Sequence, residues 1–181
     1  MNDDGAGVEE PLYLRDPAAW REKLAEGNRF QPRKRVAAEV HLRDEHGRLL
    51  LVDPSYKPLW DIPGGMAEAN EPPHEAALRE LREELGLGVE LGRLLCVDWV
   101  APHGPWDDLL MFVFDGGSVS PEQAESLHPV DDELREVRWC TPQQAAGLLR
   151  EDVWARTAQA VLAWEDKTTS YLYRGHPFPR V

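Results

Sequence analysis

Two spacings of apolar residues alternate along the chain. From Val36, VAAEVHLR, the polar DEHG and then RLLLVD place two apolar segments around a turn, which predicts a β-hairpin. VELGRLLCVDWVA, WDDLLMFVFDG and ELREVRWCT predict further strands, the first two separated by the loop PHGP. A helical spacing interrupts them from about Pro72 to about Leu85, where Leu78, Leu81 and Leu85 recur at i, i+3 and i+7. Asn70 or Glu71 can cap that helix, Pro72 and Pro73 suit its first turn, and Gly86 supplies its stop. Segments 142–149 and 152–164 predict two more helices. Ahead of the strands, DPAAWREKLAEGN reads as a short amphipathic helix carrying Trp20 and Leu24 on one face and closing at Gly27.

The order of these elements describes one α/β domain at residues 36–166. It is preceded by a tail and short helix at 1–35 and followed by an aromatic, Pro-containing tail at 167–181. Residues 1–11 are rich in Asp, Glu and Gly and are expected to be disordered. A chain of 181 residues is long enough for one such core. No internal repeat is present.

Charge narrows the partners. With 20 Lys plus Arg against 33 Asp plus Glu, the formal net charge is −13, and a nucleic-acid polymer would be repelled over most of the surface. Small phosphorylated ligands remain compatible, because a cation held by carboxylates reverses the local field. Cys96 and Cys140 belong to no CxxC pair and are expected as buried thiols. No basic leader and no long apolar run is present, so a membrane role is not expected and a cytoplasmic one is.

The stretch GGMAEANEPPHEAALRELREELGL places six glutamates in 24 residues. On the predicted helix, Glu80, Glu83 and Glu84 recur at i, i+3 and i+4, a like-charged stripe opposite the leucines. Neighbouring like charges on a helix cost about 0.2–0.5 kcal/mol each, and glutamates near its C-terminal end also oppose the helix dipole. Two readings follow: a solvated face relieved by Arg79 and Arg82, or carboxylates that converge on a hard divalent cation.

Gly65, five residues, Glu71, seven residues and RELREELGL from Arg79 match the complete Nudix box. The preceding LWDIPGG resembles the usual lead-in, and the predicted elements over residues 36–164 resemble the Nudix hydrolase fold. That resemblance implies a Nudix-type α/β/α sandwich with a mixed β-sheet. It also implies a Mg2+-dependent (or Mn2+-dependent) enzyme that cleaves the phosphoanhydride bond of a nucleoside diphosphate derivative, with ADP-ribose and nucleotide sugars among the candidates. Glu80, Glu83 and Glu84 would bind the metal, with the Gly64 carbonyl as a further ligand, Arg79 orienting them and Glu71 in support. Either Glu80 or Glu133 would accept a proton from water; a surface role for Glu133 stands beside this. The alternative from another class is a non-catalytic Nudix-fold module that senses a nucleotide, whose usual sign, loss of the carboxylates, is absent.

Substrate identity would lie outside the box. Trp99 and Trp106 in WVAPHGPWDDL could stack on a base, and Lys57 in DPSYKPLW could meet a phosphate. For each, packing or an ordinary surface position is the competing reading. Pro102, fifteen residues past the box, resembles a marker of ADP-ribose hydrolysis within the family. Glu75 can pair with Arg79 at i, i+4. The aromatic tail offers a surface for packing onto the body and for a homodimer.

Overall fold

A computed structural model describes residues 10–178, so most of the expected N-terminal tail and the last three residues lie outside the described part. The described chain divides into a unit up to Arg33 and a unit from Lys34 onward.

In the first unit, α1 (Leu12–Arg15) and α2 (Pro17–Phe30) meet at Asp16. The Asp16 carboxylate accepts the N–H groups of Ala18 and Ala19 at 3.1 and 3.0 Å, and Pro17 takes the first helical position, where no N–H is needed. The helix passes through Gly27, contrary to expectation. It stops because Gln31 precedes Pro32, whose ring disfavours helical backbone at the residue before it; Gln31 is extended, with φ −67° and ψ 133°.

The second unit runs β1 (Arg35–Arg43), β2 (Leu49–Pro54), β3 (Gly64–Met66), α3 (Pro73–Leu85), β4 (Leu94–Val100), β5 (Leu109–Ser118), α4 (Pro121–Ser126), β6 (Leu134–Cys140), α5 (Pro142–Leu148), α6 (Glu151–Glu165), β7 (Ser170–Tyr173) and β8 (His176–Pro177). The mixed sheet has the order β6-β2-β1-β5-β4-β7-β8, with β3 beside β1. β1 with β5 and β4 with β7 are parallel; the other pairs are antiparallel. The expected hairpin survives only at its turn, as Arg43 opposite Leu49. Beyond it β3 occupies that edge of β1, so β2 diverges and pairs with β6 along its whole length. The expected C-terminal tail supplies β7 and β8 to the sheet.

The two faces of β1 bury different chemistry. Ala38, Val40 and Leu42 pack with Ala77, Leu81 and Leu85 of α3. Glu39, His41 and Arg43, at the alternate positions, are also buried. Arg156 and Trp164 of α6 cover this second face, Arg156 against Glu39 and the Trp164 ring 4.1 Å from the Arg43 guanidinium. Leu49, Leu51, Cys140, Ala145, Leu149 and Val153 close the core under α5 and α6. Helices on both faces of a mixed sheet make the expected α/β/α sandwich. Among the described residues no helix is long and apolar enough to cross a membrane.

Candidate active site

The site is built where β3 runs beside β1 and α3 returns over it. Gly64 and Gly65 allow this approach. A β-carbon on Gly64 would overlap the Ala38 carbonyl oxygen, and one on Gly65 would overlap the Glu80 carboxyl group. Gly64 also sits at φ 139°, a region that side chains avoid. The Glu80 carboxyl group is thereby seated against bare backbone.

α3 opens at Pro72, whose backbone provides the cap without any side-chain bond, and Gly86 ends it at φ 60°. The expected cap residue Glu71 is used differently. Both its oxygens accept from Arg79, Nε and Nη2 at 3.0 Å each, and its Oε2 also accepts the Glu68 N–H at 2.8 Å. Arg79 Nη1 donates to Glu80 and Glu83 at 2.9 Å each, and Nη2 donates to the Met66 carbonyl at 3.0 Å. Arg79 thus ties the loop to the helix. Its bonds to Glu71 hold that carboxylate below its usual pKa. The expected Glu75 to Arg79 pair is not formed, since the guanidinium is taken by these partners; Glu75 lies 3.9 Å from His74.

The carboxylate stripe separates by depth. The Glu83 side chain is 57 % exposed and held on Arg79. Glu80 is partly buried, which raises its pKa, and Arg79 offsets part of that rise. Glu84 is only 4 % exposed, and its Oε2 has no partner. Burial first, and then the charge of Glu80, push Glu84 up to about 8, while the Gly64 N–H opposes the rise. Among the described residues no three His, Cys, Asp or Glu side chains converge closely enough to hold a metal ion. Glu83 faces outward on Arg79, while Glu80 and Glu84 line a cavity. What does fit a cation is Glu84, a buried carboxylate with an orphan oxygen and Glu80 as its neighbour.

A cavity of about 570 Å3 brings together Gly64, Glu80, Glu84, Glu133, Lys57 and Trp106 from the sequence candidates. Arg79, Glu83 and Trp99 are not in its lining. Trp99 instead stacks on Tyr173 at 5.1 Å between ring centroids and donates its Nε1–H to Asp108 at 2.7 Å, which accounts for its ring without a ligand. Trp106 is exposed at the rim and lies under the Arg35 guanidinium at 4.6 Å. Lys57 is paired with Asp61; burial opposes its charge, but Asp61 outweighs that and raises its pKa. Their loop contains Leu59, also in the lining, at φ 71°, a left-handed conformation costly for a bulky side chain.

The floor of the cavity holds residues that the sequence did not single out. Arg156 donates to both oxygens of Glu39 at 3.0 and 2.6 Å and to Asp98 at 3.3 Å, all within the interior. Burial raises the Glu39 pKa, and Arg156 counters the rise. A signal existed: Glu39 is a charge inside an apolar strand, and Arg156 is a cation on the Val153, Ala160, Ala163 face of α6. Neither local pattern reveals that they meet.

A glycine-led strand, a loop clasped by arginine and a helix of carboxylates surround one polar cleft, the arrangement expected of a Nudix box. The family model described as NUDIX domain matches residues 33–164. The chain belongs to the Nudix hydrolase family. Phosphatase NudJ of Escherichia coli K12 is 32 % identical over 118 residues, covering 64 % of this chain and 72 % of the relative. The fold is similar to the NUDIX domain of Shewanella oneidensis NrtR complexed with ADP ribose, with TM-score 0.64 and 19 % identity over 80 % of this chain and 97 % of that one. A UDP-X diphosphatase structure is similar with TM-score 0.59 and 19 % identity over 84 % and 74 % of the two chains.

Proposed function

We propose that the protein is a Mg2+-dependent hydrolase, with Mn2+ as a substitute, that cleaves the phosphoanhydride bond of a nucleoside diphosphate derivative such as ADP-ribose or a nucleotide sugar. The observation that carries this reading is the orphan, buried Oε2 of Glu84 beside Glu80 in a cavity that also contains the exposed acid Glu133. A buried carboxylate without a counter-charge is unfavourable until a proton or a cation joins it, and a divalent cation in the cleft would displace the proton.

Glu80, Glu84 and the Gly64 backbone would hold the cation, and Glu83 completes the set that the box implies. Bound there, a divalent cation neutralises charge on the diphosphate oxygens and makes water more acidic. Arg79 is a positioning residue: it fixes Glu71, Glu80 and Glu83 as one network. Glu133 is the preferred proton acceptor, because Glu80 Oε1 is already engaged by Arg79 whereas Glu133 is exposed and faces the same cavity. Lys57 would exchange Asp61 for a substrate phosphate, and Trp106 offers its ring to a base at the rim. The buried free thiols Cys96 and Cys140 suit a reducing cytoplasm. Tyr171 and Phe178 remain exposed as the surface expected for a homodimer, which sedimentation at several concentrations would check.

The test is a panel of nucleoside diphosphate derivatives incubated with Mg2+ and analysed for released nucleoside monophosphate. Product that disappears in Glu84→Gln, with the fold unchanged by circular dichroism, supports the reading. Tight ligand binding with no product under Mg2+ or Mn2+ would favour a nucleotide-sensing module instead.

A further inference from the structure

A second cavity, of about 490 Å3, adjoins the first and shares Val100, His103 and Arg150 with it. Its outer wall is made by the first turn of α6 and the turn between β7 and β8, which bring in Glu151, Asp152, Arg174 and His176. Pro102 lines this second cavity rather than the first.

The β7–β8 connection has two central residues, Arg174 and Gly175, flanked by the pair Tyr173 and His176. Both have positive φ, 55° and 79°. Turns of this kind take Asn-Gly, Asp-Gly or Gly-Gly, because a longer side chain in the left-handed region costs roughly 1–2 kcal/mol. Arginine in the first position is thus a poor choice for the turn itself. Gly175 is required: a β-carbon there would lie 2.8 Å from Ala155 Cβ and 2.9 Å from the Asp152 carbonyl oxygen.

Backbone bonds hold the turn in place. The Gly175 N–H donates to buried Asp98 at 2.9 Å, and the Arg174 N–H donates to the Trp99 carbonyl at 3.0 Å. Asp98 also accepts from Arg156, so the turn is anchored to the same ion cluster that floors the first cavity. Across the second cavity Arg150 is paired with Asp152, whereas Arg174 has no ion pair among the described residues. An unpaired arginine on an unfavourable but tightly held backbone, lining a cavity of a protein with net charge −13, is not explained by stability.

We propose that this cavity is a phosphate subsite for the far end of an elongated substrate: a nucleoside diphosphate derivative whose second moiety carries a phosphate of its own. Arg174 is the main contact, with His103, His176 and Arg150 as further donors, and the Asp152 charge is already met by Arg150. This rests on the hydrolase reading for the placement of the scissile diphosphate in the first cavity.

The test uses two matched pairs: ADP-ribose with ADP-ribose phosphorylated on its terminal ribose, and UDP-glucose with UDP-glucose 6-phosphate. Affinities are measured by calorimetry with Ca2+ present, and product release is followed separately in Mg2+ and Mn2+. The far phosphate should tighten binding five- to tenfold in at least one pair. Arg174→Gly should reduce that gain below twofold while melting no lower than the wild type, since glycine suits the turn, and Arg174→Lys should retain part of the gain. A gain absent from both pairs, or kept in Arg174→Gly, overturns the subsite. Binding with the expected gain but no product in either metal sinks the hydrolase reading and leaves the subsite standing. Hydrolysis without the gain does the reverse, and no binding by any of the four ligands overturns both.

Discussion

Arg156 grips both carboxylate oxygens of Glu39, at 3.0 and 2.6 Å, across 117 residues of sequence. Both side chains are at most 5 % exposed, and the guanidinium also reaches Asp98. Removing the cation strands two buried acids. Arg156→Met should therefore lower stability by about 3–5 kcal/mol, read from the urea midpoint, and Glu39→Gln added to it should restore part of the loss. A loss below about 1 kcal/mol would mean that water already screens the cluster.

Metal removal should be visible without any substrate. Because Glu84 is buried with an orphan oxygen, Mg2+ should raise the melting temperature of the wild type, and a chelator should reverse the rise. In Glu84→Gln the metal-free protein should melt above the metal-free wild type, and the response to Mg2+ should vanish. An unchanged Mg2+ response in this variant would move the cation elsewhere.

The adjacent glycines should fail in different ways. Gly65→Ala presses on a side chain, the Glu80 carboxyl group, so its melting temperature should stay within a few degrees while activity falls at least about 100-fold as the carboxylate is displaced. Gly64→Ala presses on the Ala38 carbonyl from a backbone at φ 139° and should lose about 2–4 kcal/mol of stability. Equal stability of the two variants would contradict this geometry.

Buried His41 should make the protein acid-sensitive. Arg43 Nη1 lies 3.2 Å from His41 Nδ1, so this nitrogen accepts, and Nε2 has no partner. Burial, then the charge of Arg43, lowers its pKa from the usual 6.5 to about 4. The unfolded chain takes up the proton first, so stability is full above 6.5 and falls as pH drops from 6.5 toward 4. The accumulated loss is at most about 3 kcal/mol. His41→Phe should flatten this part of the stability profile measured by denaturation at successive pH values.

Legibility followed distance along the chain. Helix α3 was readable nearly to the residue because its signals, two prolines at the start, leucines at helical spacing and Gly86 at the end, act within a turn or two. Its core stripe was only half seen: Ala76 and Ala77 are buried while Leu78 is not, since the close approach of β1 admits small side chains. The positions of β1, β2, β4, β5 and β6 were readable, but their partners were not, and β7 and β8 lie in a segment read as a tail. The β1 and β2 segments look like a hairpin until β3 claims the edge of β1, and nothing local to either segment announces β3.

The same division runs through the site. The order of Gly65, Glu71, Arg79, Glu80, Glu83 and Glu84 matches the Nudix box and so pointed to the family by itself, and helical spacing alone fixed which side chains between Arg79 and Glu84 are neighbours. Only the tertiary structure decided that Glu84 is buried and unpartnered while Glu83 faces solvent on Arg79, that Trp99 packs on Tyr173, and that Glu39 and Arg156 meet in the cavity floor with Asp98 behind them. Those outcomes depend on which strand borders β1 and how α6 crosses the sheet, relationships set by packing between residues far apart in the chain.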